Sequence, residues 1–237
     1  GVAGEKRIQL QKENNVVGSA EGAYWRYESW MKQLDSDFYT VVGAAGELFS
    51  LRKTLYEPIT SDVILDDFFL SMRVAITGYR FVYEPGAYAI ELPSASVKEE
   101  QKRKVRICAG GFQAMKRLPQ AFNIFKRPKL AFQFISHRVL RWTLTPICVF
   151  LLVIFNSVLI IFNPSSLYFY LFIAQVVFYT MAFLGYLFSL QNRKVRLFSI
   201  PYYFVFMNIS VFLGFLRYRR GRQTVLWEKV RRARVEV

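Results

Sequence analysis

Ile64-Leu65-Asp66-Asp67-Phe68-Phe69-Leu70 sets two adjacent carboxylates among apolar residues, with a small-residue segment before them and a basic one after them. Adjacent like charges repel, and apolar neighbours restrict water, so one carboxylate of such a pair takes a raised pKa, as a general base requires. The same residues also read as a helix start, because Asp62 or Asp66 can cap a helix over 68–76 and acids favour a first turn. The readings are compatible, since a base presented at a helix N-terminus is held by a rigid element.

Upstream, Gly43-Ala44-Ala45-Gly46 runs into Glu47-Leu48-Phe49-Ser50-Leu51-Arg52. Residues this small either make a tight turn or let a ligand approach the backbone. Residues 2–10 read as a strand and 20–34 as an amphipathic helix, with Tyr24, Tyr27 and Trp30 on one face. Asp35-Ser36-Asp37 has the spacing of a carboxylate metal grip, but Asp and Ser are also common where a helix ends. Downstream of the acidic pair, 78–86 reads as turn, strand, turn, and 87–91 as a further extended piece. The run from Lys98 to Ile107 is either a solvated helix face or a diphosphate grip, since arginine's forked donors suit phosphate, and it ends at Cys108-Ala109-Gly110-Gly111.

A formal net charge of +15 by itself suits nucleic acid or an anionic membrane. Hydrophobicity decides: 53% apolar residues, 23 Phe and a mean hydropathy of +0.20 belong to a membrane protein rather than a nucleic-acid binder. Basic and aromatic residues alternate over 112–142, and Pro119 and Pro128 divide that stretch into short amphipathic helices suited to a membrane interface. Three charge-free stretches follow, 143–162, 167–190 and 197–216, each about the ~20 residues that a helix needs to cross a bilayer. The tail over 217–237 is rich in arginine. Cys108 and Cys148 imply neither a disulfide framework nor a zinc site, and His137 has no ligand or nucleophile near it in sequence. The chain opens at Gly1 as if inside a domain, so an N-terminal portion is expected to be missing.

The order GAAGELFSLR, VILDDFF, GYRFVYEP, KRKVRI, HRVLRWTLTP and GRQTVLWEKVRR resembles the C-terminal part of a membrane-bound family 2 glycosyltransferase, over essentially the whole chain. The resemblance implies that 1–111 is the acceptor-side portion of an α/β GT-A domain, followed by interfacial helices and a helical membrane domain. It implies Asp67 as catalytic base and Asp66 as its partner, with Gly43, Ala44, Ala45 and Gly46 as a substrate-binding loop. The family's Q-x-x-R-W element falls on Arg103, Arg106 and Ile107, so Arg103 and Arg106 are expected at the donor diphosphate. Ile107 in place of the tryptophan removes a sugar-stacking platform and points to non-processive transfer.

The metal motif, a DxD holding Mg or Mn, is then expected upstream of Gly1, which leaves Asp35-Ser36-Asp37 a decoy and this chain without a metal site. The implied reaction moves a sugar, with inversion, from a nucleotide-diphosphate donor to a hydroxyl on a glycan or lipid-linked acceptor, at the cytosolic face of the inner cell membrane. By itself the chain is expected to be inactive. The rival reading is a non-enzymatic membrane anchor or interaction module that keeps half of the fold. Partners are the donor, the acceptor and the bilayer, with no nucleic acid.

The charges also bear on topology. The neutral loop at 163–166 is expected outside and the basic loop at 193–196 inside, in keeping with the positive-inside rule. A full span at 197–216 would place the arginine-rich tail outside, so that segment, interrupted by Pro201, Asn208 and Gly214, is expected to be re-entrant or interfacial, with the tail cytosolic and Trp227 near the catalytic face.

Overall fold

A computed structural model of the chain describes residues 1–9, 16–162, 165–191 and 195–221, with the backbone alone at 16–20 and 196. Trp227, most of the basic tail and the centres of both loops between the apolar stretches lie outside the described residues. The first half is mixed α/β. Strand β1 (Val2–Ile8) is central in a three-stranded sheet of order β2-β1-β3, antiparallel to β2 (Phe49–Ser50) and parallel to β3 (Val82–Glu91). Helix α1 (Val16–Phe38) packs on β1.

The turn expected around Pro85-Gly86 is not there. β3 continues through it as one strand, and the irregularity is taken up as a bulge, because the register jumps from Gly4 opposite Glu84 to Glu5 opposite Tyr88. A side chain on Gly4 would strike the Ala87 carbonyl, which explains the glycine.

Helix α2 (Asp66–Ile76) buries Phe68, Met72 and Ala75 at the spacing of one helical face and Val74 on another. Its N-cap position is Leu65, without a side-chain cap bond. Neither acid expected to cap it does so: Asp66 and Asp67 occupy its first turn, and Asp62 pairs with Arg117.

Helix α3 (Val97–Arg117) is capped by Ser96, whose side chain accepts from the Glu99 N–H, and carries Glu99 and Glu100 in its first turn and Lys116 and Arg117 in its last, as the helix dipole favours. It runs straight through the domain boundary expected at 111/112. A 3-10 turn (Pro119–Phe122) leads to α4 (Pro128–Phe134), a π-helical turn (Ile135–Val139) and the short α5 (Leu140–Trp142). Phe68, Met72, Leu118, Leu130, Phe134 and Trp142 form one core where α2, α3 and these short helices meet. Val41, Ala44, Val74, Phe81 and Tyr83 form another against the sheet.

The three apolar helices are α6 (Leu144–Phe162), α7 (Ser166–Leu190) and α8 (Arg196–Arg219), each long and apolar enough to cross a membrane. They are not alike. Only 11% of the apolar window of α6 and of α7 is buried inside the protein, against 44% for α8. The interruption expected at Pro201, Asn208 and Gly214 does not break α8, which is one continuous helix of 24 residues. Pro201 falls early in it, Asn208 donates its side-chain amide to the Phe204 carbonyl at 2.8 Å, and Gly214 lies against α3.

Candidate active site

A cavity of about 1030 Å³ opens between α1, the start of α2, α3, the π turn with α5, and α8. Asp66 and Asp67 are both on its wall, and α2 separates their roles. Asp66 is exposed and Asp67 partly buried. Asp67 Oδ1 accepts the Phe68 N–H at 2.7 Å, and the Gly46 N–H also favours its ionised form. Burial outweighs these donors, and with lesser pushes from Asp66 and Glu47 it raises the Asp67 carboxyl to about 6.

The small-residue loop is built to meet this carboxylate. Gly43 has φ +88° and lies so close to the Phe68 ring that no side chain fits. The Ala44 N–H donates to Ser71 Oγ at 2.9 Å, while that hydroxyl reaches back to the Asp67 carbonyl at 2.9 Å. A Cβ on Gly46 would stand 3.0 Å from Asp67 Oδ2. Of the four loop residues named from sequence, Ala45 and Gly46 line the cavity, whereas Gly43 and Ala44 fix the loop on α2.

The two arginines separate. Arg103 faces the cavity but is engaged by two buried carboxylates, donating its Nε to Glu100 at 2.9 Å and pairing with Glu21. Arg106, also buried, is not among the residues that line the cavity.

Sequence reading overlooked another cationic cluster. Arg138 donates through Nε and Nη2 to the Val42 carbonyl at 3.1 and 3.0 Å, and so holds the chain leading into the Gly43–Gly46 loop. Arg141 pairs with buried Glu28 and donates to the Tyr24 hydroxyl at 2.9 Å. Burial by itself would raise the Glu28 carboxyl, but Arg141, Arg138 and Lys32 together hold it well below the usual carboxylate range. Lys104 Nζ lies over the Tyr24 ring at 4.1 Å, and burial lowers its pKa. The HRVLRW motif was legible, but these roles were not. The π turn carries His137 and Arg138, and such a turn shifts the direction of side chains along a helix.

Asp35-Ser36-Asp37 lies in the last turn of α1, where Asp35 and Ser36 are buried in packing and Asp37 is exposed. Asp35 accepts from Gln133 at 2.9 Å and sits 2.6 Å from His137 Nδ1, and Ser36 Oγ accepts the Tyr83 N–H at 2.9 Å. Among the described residues, no three His, Cys, Asp or Glu side chains stand together as a metal site.

The profile of glycosyl transferase family group 2 matches residues 8–216. The chain belongs to that family. No curated protein matches the chain. A family 2 glycosyltransferase works on a nucleotide-sugar donor and an acceptor, and the family commonly uses a divalent metal. Membership agrees with the fold class expected from sequence, an α/β glycosyltransferase portion followed by a helical membrane domain, which the structure shows as a mixed α/β region with a small mixed sheet followed by three long apolar helices.

Proposed function

We propose that this chain carries the acceptor side of an inverting glycosyltransferase, with Asp67 as general base. The observation that carries this reading is the Asp67 carboxylate. It is placed by the first turn of α2 and by Gly46, opens on a cavity of about 1030 Å³, and has its pKa raised to about 6, so that at neutral pH it is ionised yet basic enough to take a proton. The acceptor oxygen attacks the anomeric carbon as Asp67 takes its proton, the bond to the diphosphate breaks on the opposite face, and the configuration inverts. Asp66, exposed beside it, raises the basicity of Asp67 by like charge. Lys32, Lys104, Arg138 and Arg141 line the same cavity and supply positive potential for the departing diphosphate. The test is Asp67→Asn in the full-length protein: transfer falls by about 10²–10⁴-fold with the donor Kd unchanged. Turnover like that of the wild type ends the assignment.

The reading extends to topology. Tyr203 donates to Glu100 at 3.3 Å, Gly214 packs on Cys108, and Phe112 meets Phe215 and Tyr218 with ring centroids 5.2 and 6.1 Å apart. α8 therefore runs parallel to α3 over roughly 22 Å of helix. α3 carries Glu99, Glu100, Lys102, Arg103, Lys104 and Arg106 within two turns, and such a helix does not belong in hydrocarbon. The proposed arrangement is that α6 and α7 span the bilayer, while α8 stays with the catalytic part on the cytosolic face, as the positive-inside rule asks of the tail.

A further inference from the structure

Helix α1 is built inside out. Glu21, Glu28, Lys32 and Asp35 recur on one face of it and are buried against the rest of the protein, while Tyr27, Trp30, Leu34 and Phe38 recur on the opposite face and are exposed. The inward charges have partners: Glu21 pairs with Arg103, Glu28 with Arg141, and Asp35 accepts from Gln133. The outward rings do not fit water. A helix that meets solvent carries its charges outward, and a contiguous run of large apolar side chains, here roughly 16 Å long, marks a surface that something apolar covers.

The stripe does not end with α1. Phe38 meets the ring of Phe132 on α4 with centroids 5.9 Å apart, and Phe132 is itself 60% exposed. The turn that leads into α4 then projects Phe125, which is 92% exposed. Asn123 Oδ1 accepts the N–H groups of Phe125 and Lys126 at 3.1 and 2.8 Å, so this turn is fixed and the ring is held out rather than left to fold back. Lys126 and Lys129 are exposed beside it. A bilayer interface suits this pattern, because rings enter the acyl boundary there while lysine ammonium groups reach the lipid phosphates. From α4 the chain runs through the π turn and α5 directly into α6, so the face adjoins the start of an apolar helix of membrane-crossing length.

We propose that α1 is a membrane-docking element, whose stripe of Tyr27, Trp30, Leu34 and Phe38 lies on a phospholipid surface together with Phe132 and Phe125, with Lys126 and Lys129 at the lipid phosphates. The sequence placed only 112–142 at the interface, whereas α1 belongs to the catalytic part. Tyr27 also lines the cavity, so docking holds the edge of that cavity at the membrane surface. None of this depends on Asp67 being the base.

The test uses the full-length protein without other cysteines, in phosphatidylcholine–phosphatidylglycerol nanodiscs, with a nitrobenzoxadiazole label on Leu34→Cys or on Phe125→Cys. Doxyl groups on the lipid chains should quench both labels strongly, and aqueous iodide should quench neither. Quenching by iodide alone would leave the face in water, and protection from both quenchers would place it against protein, an upstream segment or a second copy. Either result overturns the inference. Lys126→Glu combined with Lys129→Glu, at exposed positions, should lower the doxyl quenching at Leu34→Cys severalfold while the thermal unfolding midpoint stays unchanged. Undiminished quenching in that variant would overturn the placement of the lysines at lipid phosphates.

Discussion

Gly214 of α8 lies so close to Cys108 of α3 that a Cβ added to the glycine would stand 2.6 Å from the Cys108 Cβ and 3.0 Å from the Val105 carbonyl oxygen. This contact fixes how near the last apolar helix comes to the catalytic part. Gly214→Leu should force the helices apart at a cost of about 1–3 kcal/mol. Cys108 reports the change, because burial hides its thiol and pushes its pKa up to about 11. In a Cys148→Ser background, maleimide should leave Cys108 unmodified in the wild-type helix pair and modify it in the Gly214→Leu protein. Equal reactivity in the two would mean that the helices do not pack as described.

The raised pKa of Asp67 gives transfer a pH signature. Asp67 is ionised above about 6, so with Asp67 as the proposed base kcat/KM should be flat at higher pH and fall about tenfold per unit below it. For stability the sign is opposite. Folding favours the neutral acid, so the ionised carboxylate costs stability that is absent below the ordinary carboxylate range and fully present above about 6. Asp67→Asn should therefore slow transfer by about 10²–10⁴-fold while raising thermal stability at pH 8, on the order of 2 kcal/mol. It should change stability little at pH 4. A variant both inactive and less stable at pH 8 would point to a structural role for the carboxylate.

Sidedness can be read by pairing two cysteines in a background without Cys108 and Cys148. Lys98→Cys marks the start of α3, and Gly221→Cys the end of α8. If α8 stays beside α3, a membrane-impermeant maleimide modifies both from the same side of sealed vesicles. Modification from opposite sides would establish α8 as a full span.

Glu28 is buried with Arg138 and Arg141, and both pairs disappear if it is neutralised. Glu28→Gln should cost about 3–5 kcal/mol, because it leaves cations buried without their counter-charge. Its carboxyl is held below the ordinary range, so its contribution is present at neutral pH and is lost as pH falls through its depressed pKa. Thermal unfolding of the full-length variant at pH 7 measures the loss, and an unchanged midpoint would show the cluster to be dispensable.

Much of this protein was legible in the linear chain. Three apolar stretches of bilayer length, a strand ahead of an amphipathic helix, and an acidic pair at a helix start are local patterns, set by side-chain periodicity and turn chemistry, and the structure contains them all. What neighbouring residues could not settle was which side chains meet. Arg138 on the π turn reaches the Val42 carbonyl, 96 positions earlier, and of the neighbouring Arg103 and Arg106 on α3 only Arg103 lines the cavity. Nor does composition distinguish α8 from α6 and α7. Apolar content records only that a helix avoids water. Whether it is covered by lipid or by another helix depends on its packing partners, and here α3, distant in sequence, covers α8 together with α7.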